Sequence, residues 1–74
     1  ASVIEHDCII SDGVHVAPGA VLCGGVKVNN NTLIGANSVI NQNITIGENV
    51  IIGSGSVVIN DIPNGLKVYG NPVK

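Results

Sequence analysis

Aliphatic residues recur at every sixth position of this chain, and small or polar residues fill the intervals. Cut from Ser2, the sequence falls without a gap into SVIEHD, CIISDG, VHVAPG, AVLCGG, VKVNNN, TLIGAN, SVINQN, ITIGEN, VIIGSG and SVVIND. The third place is aliphatic in all ten blocks: Ile4, Ile10, Val16, Leu22, Val28, Ile34, Ile40, Ile46, Ile52 and Val58. The first place is small or β-branched throughout, and the fifth and sixth are almost all turn-tolerant residues. Alternation within a block puts places one and three on the same face of a short strand. Gly and Asn at the block ends tolerate the positive φ that sharp corners need. A period of six with local alternation excludes an amphipathic helix, whose period is 3.6. Corners recur too often for a set of separate hairpins.

Each block therefore predicts one side of a three-sided prism, and three blocks make a lap of eighteen residues. Laps stack at strand spacing, roughly 4.8 Å apart, and each covers the apolar interior of the next. The fold expected is an all-β parallel β-helix, a hexapeptide-repeat solenoid of about three coils over residues 1–61, followed by a C-terminal tail over 62–74. Ile62-Pro63-Asn64-Gly65 reads as a turn, and Leu66 to Lys74 as an extended exit strand folding back along the prism. Ser2 begins inside a coil with no polar cap before it, so further coils are expected upstream in a longer protein.

The lap also predicts which residues stack. One corner carries His6/Asp7, Gly24/Gly25, Gln42/Asn43 and Asn60/Asp61. A second carries Pro18/Gly19, Ala36/Asn37 and Ser54/Gly55. The third carries Asp12/Gly13, Asn30/Asn31 and Glu48/Asn49, and reads as a solvated edge. His15 lies on the side leading into the second corner. A prism side is on the order of 15–20 Å long, so His15 does not reach His6 within one chain. In a three-fold assembly the first corner of one subunit can face the second corner of its neighbour, which would put both histidines at one cleft.

Composition narrows the class. The chain has 74 residues, no Phe, Trp or Met, and Tyr69 as its single aromatic. One small domain of this size usually needs oligomerisation, metals or disulfides for stability. A formal charge of −2 with only Lys27, Lys67 and Lys74 as basic residues excludes a nucleic-acid surface. No apolar run has the length of a membrane span, and no membrane insertion is expected. Cys8 and Cys23 match no zinc or redox spacing and read as two small buried thiols in a reducing, cytoplasmic setting.

Three stretches carry a resemblance: Val3-Ile4-Glu5-His6-Asp7-Cys8, Val14-His15-Val16-Ala17-Pro18-Gly19 and Gly70-Asn71-Pro72. With the repeat, they resemble the hexapeptide acyltransferases. More narrowly, they look like sugar O- and N-acetyltransferases of the sialic acid O-acetyltransferase and bacillosamine-pathway type. The resemblance implies a left-handed β-helix, where general crossover rules would favour the right-handed form. It implies acetyl-CoA as co-substrate, a sugar or nucleotide-sugar acceptor, and a homotrimer with active sites between subunits. His6 would be the general base and Asp7 its orienting acid; Glu5, on the opposite face by alternation, is the rival for that role. Gly24, stacked above His6, would donate its N–H to the thioester oxygen. His15, Ala36 and Ser54 match family positions that contact CoA, with Asn71 and Pro72 at the far end of that groove. No metal is expected. Two other functions stay open: a non-catalytic trimerisation scaffold, and the metal-dependent carbonic-anhydrase branch of the fold, which uses three histidines where this chain has two.

Overall fold

The computed structural model describes residues 2–73; Ala1 and the last residue of the predicted tail, Lys74, lie outside the described residues. Two-residue strands follow one another at the predicted interval: β1 Val3–Ile4, β2 Ile9–Ile10, β3 His15–Val16, β4 Val21–Leu22, β5 Lys27–Val28, β6 Leu33–Ile34, β7 Val39–Ile40, β8 Thr45–Ile46, β9 Ile51–Ile52, β10 Val57–Val58 and β11 Lys67–Val68. Every strand pairing is parallel. Val3 pairs with Val21, Val21 with Val39, and Val39 with Val57, a lap of eighteen residues each time. Three sheets result, in the orders β1-β4-β7-β10, β2-β5-β8 and β3-β6-β9-β11. The molecule is a left-handed parallel β-helix of about four turns.

Places one and three of the blocks point inward as the alternation requires. Leu22, Val28, Ile34, Ile40, Ile46, Ile52 and Val58 are fully buried at 0% exposure, and Ala20, Val26 and Val50 lie beside them. Each such aliphatic contributes on the order of 1.5–3 kcal/mol. Ile4 and Ile10 occupy the same inward places in the first coil, yet they are 48% and 37% exposed. Among the described residues no coil packs beneath them, which shows that an inward place becomes core only when chain covers it from both sides. Three first-place residues are buried and polar: Thr32, Ser38 and Ser56. Each hydroxyl donates to a backbone carbonyl, Thr32 to Gly47 at 2.6 Å, Ser38 to Gly53 at 2.9 Å and Ser56 to Gly53 at 2.6 Å. Buried hydroxyls satisfied in this way cost little.

The corners obey one rule of backbone conformation. The sixth place of nine successive blocks adopts positive φ: Asp7, Gly13, Gly19, Gly25, Asn31, Asn37, Asn43, Asn49 and Gly55. Only Gly, Asn and Asp stand there, the residues that enter the left-handed region at least cost. The order of residue types also matters. A Cβ on Gly13, Gly19 or Gly25 would run into the side-chain amide oxygen of Asn31, Asn37 or Asn43, one lap on. Each Asn therefore lies across the bare Cα of a glycine, so Gly below and Asn above form one fitted step.

The tenth block departs from the rule. Asn60 and Asp61 do not continue the first corner; the Asp61 carboxylate instead accepts the Thr45 N–H at 2.8 Å. Ile62 then bridges to Ile46 and Lys67 pairs with Ile51, so the fourth coil is two residues shorter than the others. The turn Asn64-Gly65 takes the place of the third corner, with Gly65 N–H donating to Glu48 C=O at 2.8 Å and the Asn64 amide oxygen accepting from Glu48 N–H at 2.8 Å. The segment from Leu66 thus does not fold straight back. It first adds β11 in parallel to β9, and only at Gly70–Val73 does it turn over the end of β10.

The corner rule separates two glycine substitutions. Gly55→Ala meets open space and pays only for its positive φ, about 1–2 kcal/mol. Gly25→Ala meets that cost and also displaces Asn43, and is expected to lose roughly twice as much. Urea unfolding of the two variants side by side measures the difference.

Candidate active site

The first corner joins β1 to β2 in the lowest coil and β4 to β5 in the coil above. His6 and Asp7 are both exposed there. Gly24 and Gly25 stack over them as the eighteen-residue lap predicts: Gly25 N–H donates to His6 C=O at 3.3 Å, and a Cβ placed on Gly24 would come within 3.6 Å of the same oxygen. Asn43 N–H continues the column onto Gly24 C=O at 3.0 Å. Gly24 presents no side chain beside His6, so a ligand can approach its backbone. Among the described residues the Gly24 N–H has no backbone acceptor, unlike the N–H groups on either side of it; Cys23 donates to Ile40 C=O at 3.0 Å.

Asp7 has a structural task at this corner. Its φ of 64° makes it the first of the positive-φ corner residues, the place held by Gly25 one lap above. Among the described residues no hydrogen bond joins His6 to Asp7 or to Glu5. The structure brings the three side chains to one edge without linking them.

The second corner joins β3 to β4, β6 to β7 and β9 to β10. Asn37 N–H donates to Pro18 C=O at 3.2 Å and Gly55 N–H to Ala36 C=O at 2.8 Å, which stacks Ser54 over Ala36 over Pro18 as expected. Behind this column the backbone is packed closely: a Cβ on Gly35 would lie 2.6 Å from both Ile52 O and Ser54 N. His15 stands on the outer face of its sheet, exposed, with Leu33 and Ile51 above it. His6 and His15 thus occupy different edges of the chain, and among the described residues no group of three or more His, Cys, Asp or Glu is placed to hold a metal ion. Among the described residues one chain encloses no pocket.

Two placements differ from the sequence expectation. Cys8 and Cys23 are free but half-buried rather than buried. Cys8 faces inward in the lowest coil, which is covered from one side only, and Cys23 holds a fourth place, which faces outward. Tyr69 gave no functional signal beyond being the single aromatic. In the structure it packs against Gly53, the residue before Ser54, where a Cβ on the glycine would fall 2.9 Å from the tyrosine Cβ; the residue as a whole is 70% exposed. Its proximity to the second corner depends on the shortened fourth coil, which the repeat frame did not foretell.

With this geometry in view, the likeness to known proteins is specific. Residues 25–60 match the family described as bacterial transferase hexapeptide (six repeats). The chain is 38% identical over 67 residues to a 2,3,4,5-tetrahydropyridine-2,6-dicarboxylate N-acetyltransferase of Clostridium perfringens, covering 90% of this chain and 21% of that protein. It thus spans about a fifth of the length of the curated relatives it matches. The acetyltransferase domain of PglB from Neisseria gonorrhoeae, solved in complex with acetyl coenzyme A, superposes with a TM-score of 0.81 at 29% identity, over 99% of this chain and 47% of that one. A perosamine N-acetyltransferase from Caulobacter crescentus, in complex with CoA and GDP-perosamine, shares the fold with a TM-score of 0.82 at 21% identity, over 99% of this chain and 52% of that one.

His6 is exposed and supports nothing around it with its ring. His6→Ala is therefore expected to leave stability within about 0.5 kcal/mol of the parent, which chemical denaturation measures. Any loss of activity in that variant then reports on chemistry.

Proposed function

We propose that the chain is the catalytic β-helix of an acetyl-CoA-dependent acetyltransferase, acting on a hydroxyl or amine of a sugar or nucleotide-sugar. One observation carries the reading: His6 stands directly under two side-chain-free residues, and the first of these, Gly24, has an N–H without a backbone acceptor. A base and an open donor on one edge are what acyl transfer to a nucleophile requires. The likeness to the acetyl-CoA-bound PglB domain supports the co-substrate, and the acceptor class proposed fits the GDP-perosamine bound by the perosamine N-acetyltransferase of the same fold.

In this reading the acceptor amine or hydroxyl attacks the thioester carbonyl carbon while His6 takes its proton. The carbonyl oxygen gains negative charge as the carbon becomes tetrahedral, and Gly24 N–H donates to it. Collapse breaks the carbon–sulfur bond, and the CoA thiolate leaves with the proton that His6 returns. Asp7, adjacent in the chain, stabilises the imidazolium by its charge; its place at the corner suits that role without a bond in the free protein. Ala36 and Ser54 offer a close-packed edge for the pantetheine arm, and His15 borders it.

Both edges are convex on one chain, so each needs a second surface to form a cleft. A homotrimer supplies it by placing the first corner of one subunit against the second corner of the next. The two free thiols fit a cytoplasmic setting.

CoA release by the full-length protein, assayed against a panel of amino-sugar nucleotides and sialic acids, tests the reading. Turnover with at least one acceptor is expected. His6→Ala is expected to lower it by on the order of 10²-fold or more with CoA binding largely kept. Turnover retained in that variant removes His6 from the mechanism.

A further inference from the structure

The same internal hydrogen bond recurs at all three corners. Cys8 Sγ lies 3.2 Å from Cys23 C=O, Thr32 Oγ1 donates to Gly47 C=O at 2.6 Å, and Ser38 Oγ donates to Gly53 C=O at 2.9 Å. In each case a first-place residue reaches the fourth-place carbonyl of the coil above, fifteen residues on. That carbonyl belongs to the peptide that opens the corner. Its N–H sits on the fifth-place residue: Gly24, Glu48 or Ser54. The peptides at Cys23–Gly24, Gly47–Glu48 and Gly53–Ser54 are trans, so C=O and N–H point in opposite directions. Holding the carbonyl toward the interior turns the N–H outward.

The third corner shows what such an N–H does. Glu48 N–H, opposite the carbonyl that Thr32 holds, donates to the Asn64 amide oxygen at 2.8 Å. It is a donor aimed away from the carbonyl that Thr32 holds, at an acceptor in the turn one coil above. Among the described residues the corresponding Gly24 N–H has no backbone acceptor. The Cys23 carbonyl differs from the Gly53 carbonyl in one respect. Gly53 C=O is held by Ser38, by Ser56 Oγ at 2.6 Å and by Ser56 N–H at 3.3 Å. Among the described residues Cys23 C=O has Cys8 as its single donor. The alternative acceptor for the thiol, Leu22 C=O, is 3.9 Å away and already accepts from Glu5 N–H at 2.9 Å.

We infer that Cys8 is a positioning residue: its thiol fixes the Cys23–Gly24 peptide so that Gly24 N–H faces outward to meet the oxygen of an acyl thioester. The inference rests on the acetyltransferase reading for the identity of the acceptor, while the orientation of the peptide rests on the hydrogen bond alone. Oxyanion donors act through preorganisation, so a peptide free to rotate about its flanking bonds loses transition-state stabilisation more than substrate binding. Glycine on one side of this peptide makes such rotation easy.

The test uses Cys8→Ala, which removes the donor, and Cys8→Ser, which keeps one, in the full-length protein. In Cys8→Ala, kcat is expected to fall about tenfold with KM for acetyl-CoA little changed, and Cys8→Ser is expected to recover most of the loss. The pH profile of kcat/KM should keep its shape, because the base is untouched. Two equilibrium readouts stand apart from activity. The S–H stretching band of Cys8, isolated by subtracting the spectrum of Cys8→Ser, is expected at lower frequency than that of Cys23. The Gly24 amide resonance is expected to shift and broaden in Cys8→Ala while Glu48 stays put. Unaltered kcat in Cys8→Ala with an active parent overturns the inference, as does a Cys8 S–H band at the position of a free thiol. An inactive parent with the displaced band overturns the acetyltransferase reading and leaves the peptide orientation standing.

Discussion

The structure depends on one constraint: the repeating laps must close after eighteen residues, so that the strand N–H groups meet carbonyls of the adjacent lap. The strands are two residues long and have no stability of their own. They exist because the corner brings the chain back into register above itself. The positive φ at every sixth residue makes that return possible, and it limits the sixth place to Gly, Asn and Asp. The apolar core follows from the corners, since places one and three stack only when the laps coincide. The same register sets Gly24 over His6 and Ser54 over Ala36, so the candidate site is a product of the corner geometry.

Much of this was legible in the sequence because the code is local and repeated. Ten blocks with an aliphatic third place fix the lap length, and the lap length fixes which residues are neighbours. The stacks His6–Gly24 and Pro18–Ala36–Ser54 needed no other information. The sequence was silent where a local change breaks the period. Nothing in the block Ser56 to Asp61 distinguishes a corner that closes from one that is cut short, since Asn60-Asp61 is as turn-tolerant as Gln42-Asn43. Where the coil shortens, the Asp61 carboxylate takes the place of a backbone acceptor for Thr45, a side-chain contact with no periodic signature. The position of Tyr69 against Gly53 follows from that shift and was hidden with it.

The cysteines show a second limit. Their spacing carries no motif, and composition alone reads them as inert. In the fold they flank the first corner from both coils, Cys8 turned inward and Cys23 outward. Their meaning comes from comparison with Thr32 and Ser38, which hold the same place at the other corners. A residue type that looks arbitrary in one block becomes informative when its counterparts in other blocks share a hydrogen bond.

The turn of the tail over β10 has a consequence for how the molecule meets its own kind. Stacked strands end in a row of unused amides and carbonyls, an invitation for another chain to continue the pile. Here Val57 gives its N–H to Gly70 C=O at 2.9 Å and takes the N–H of Val73 on its own C=O at 2.8 Å. With both groups occupied and Val73 tucked in at 7% exposure, the start of that top strand is closed to a further chain.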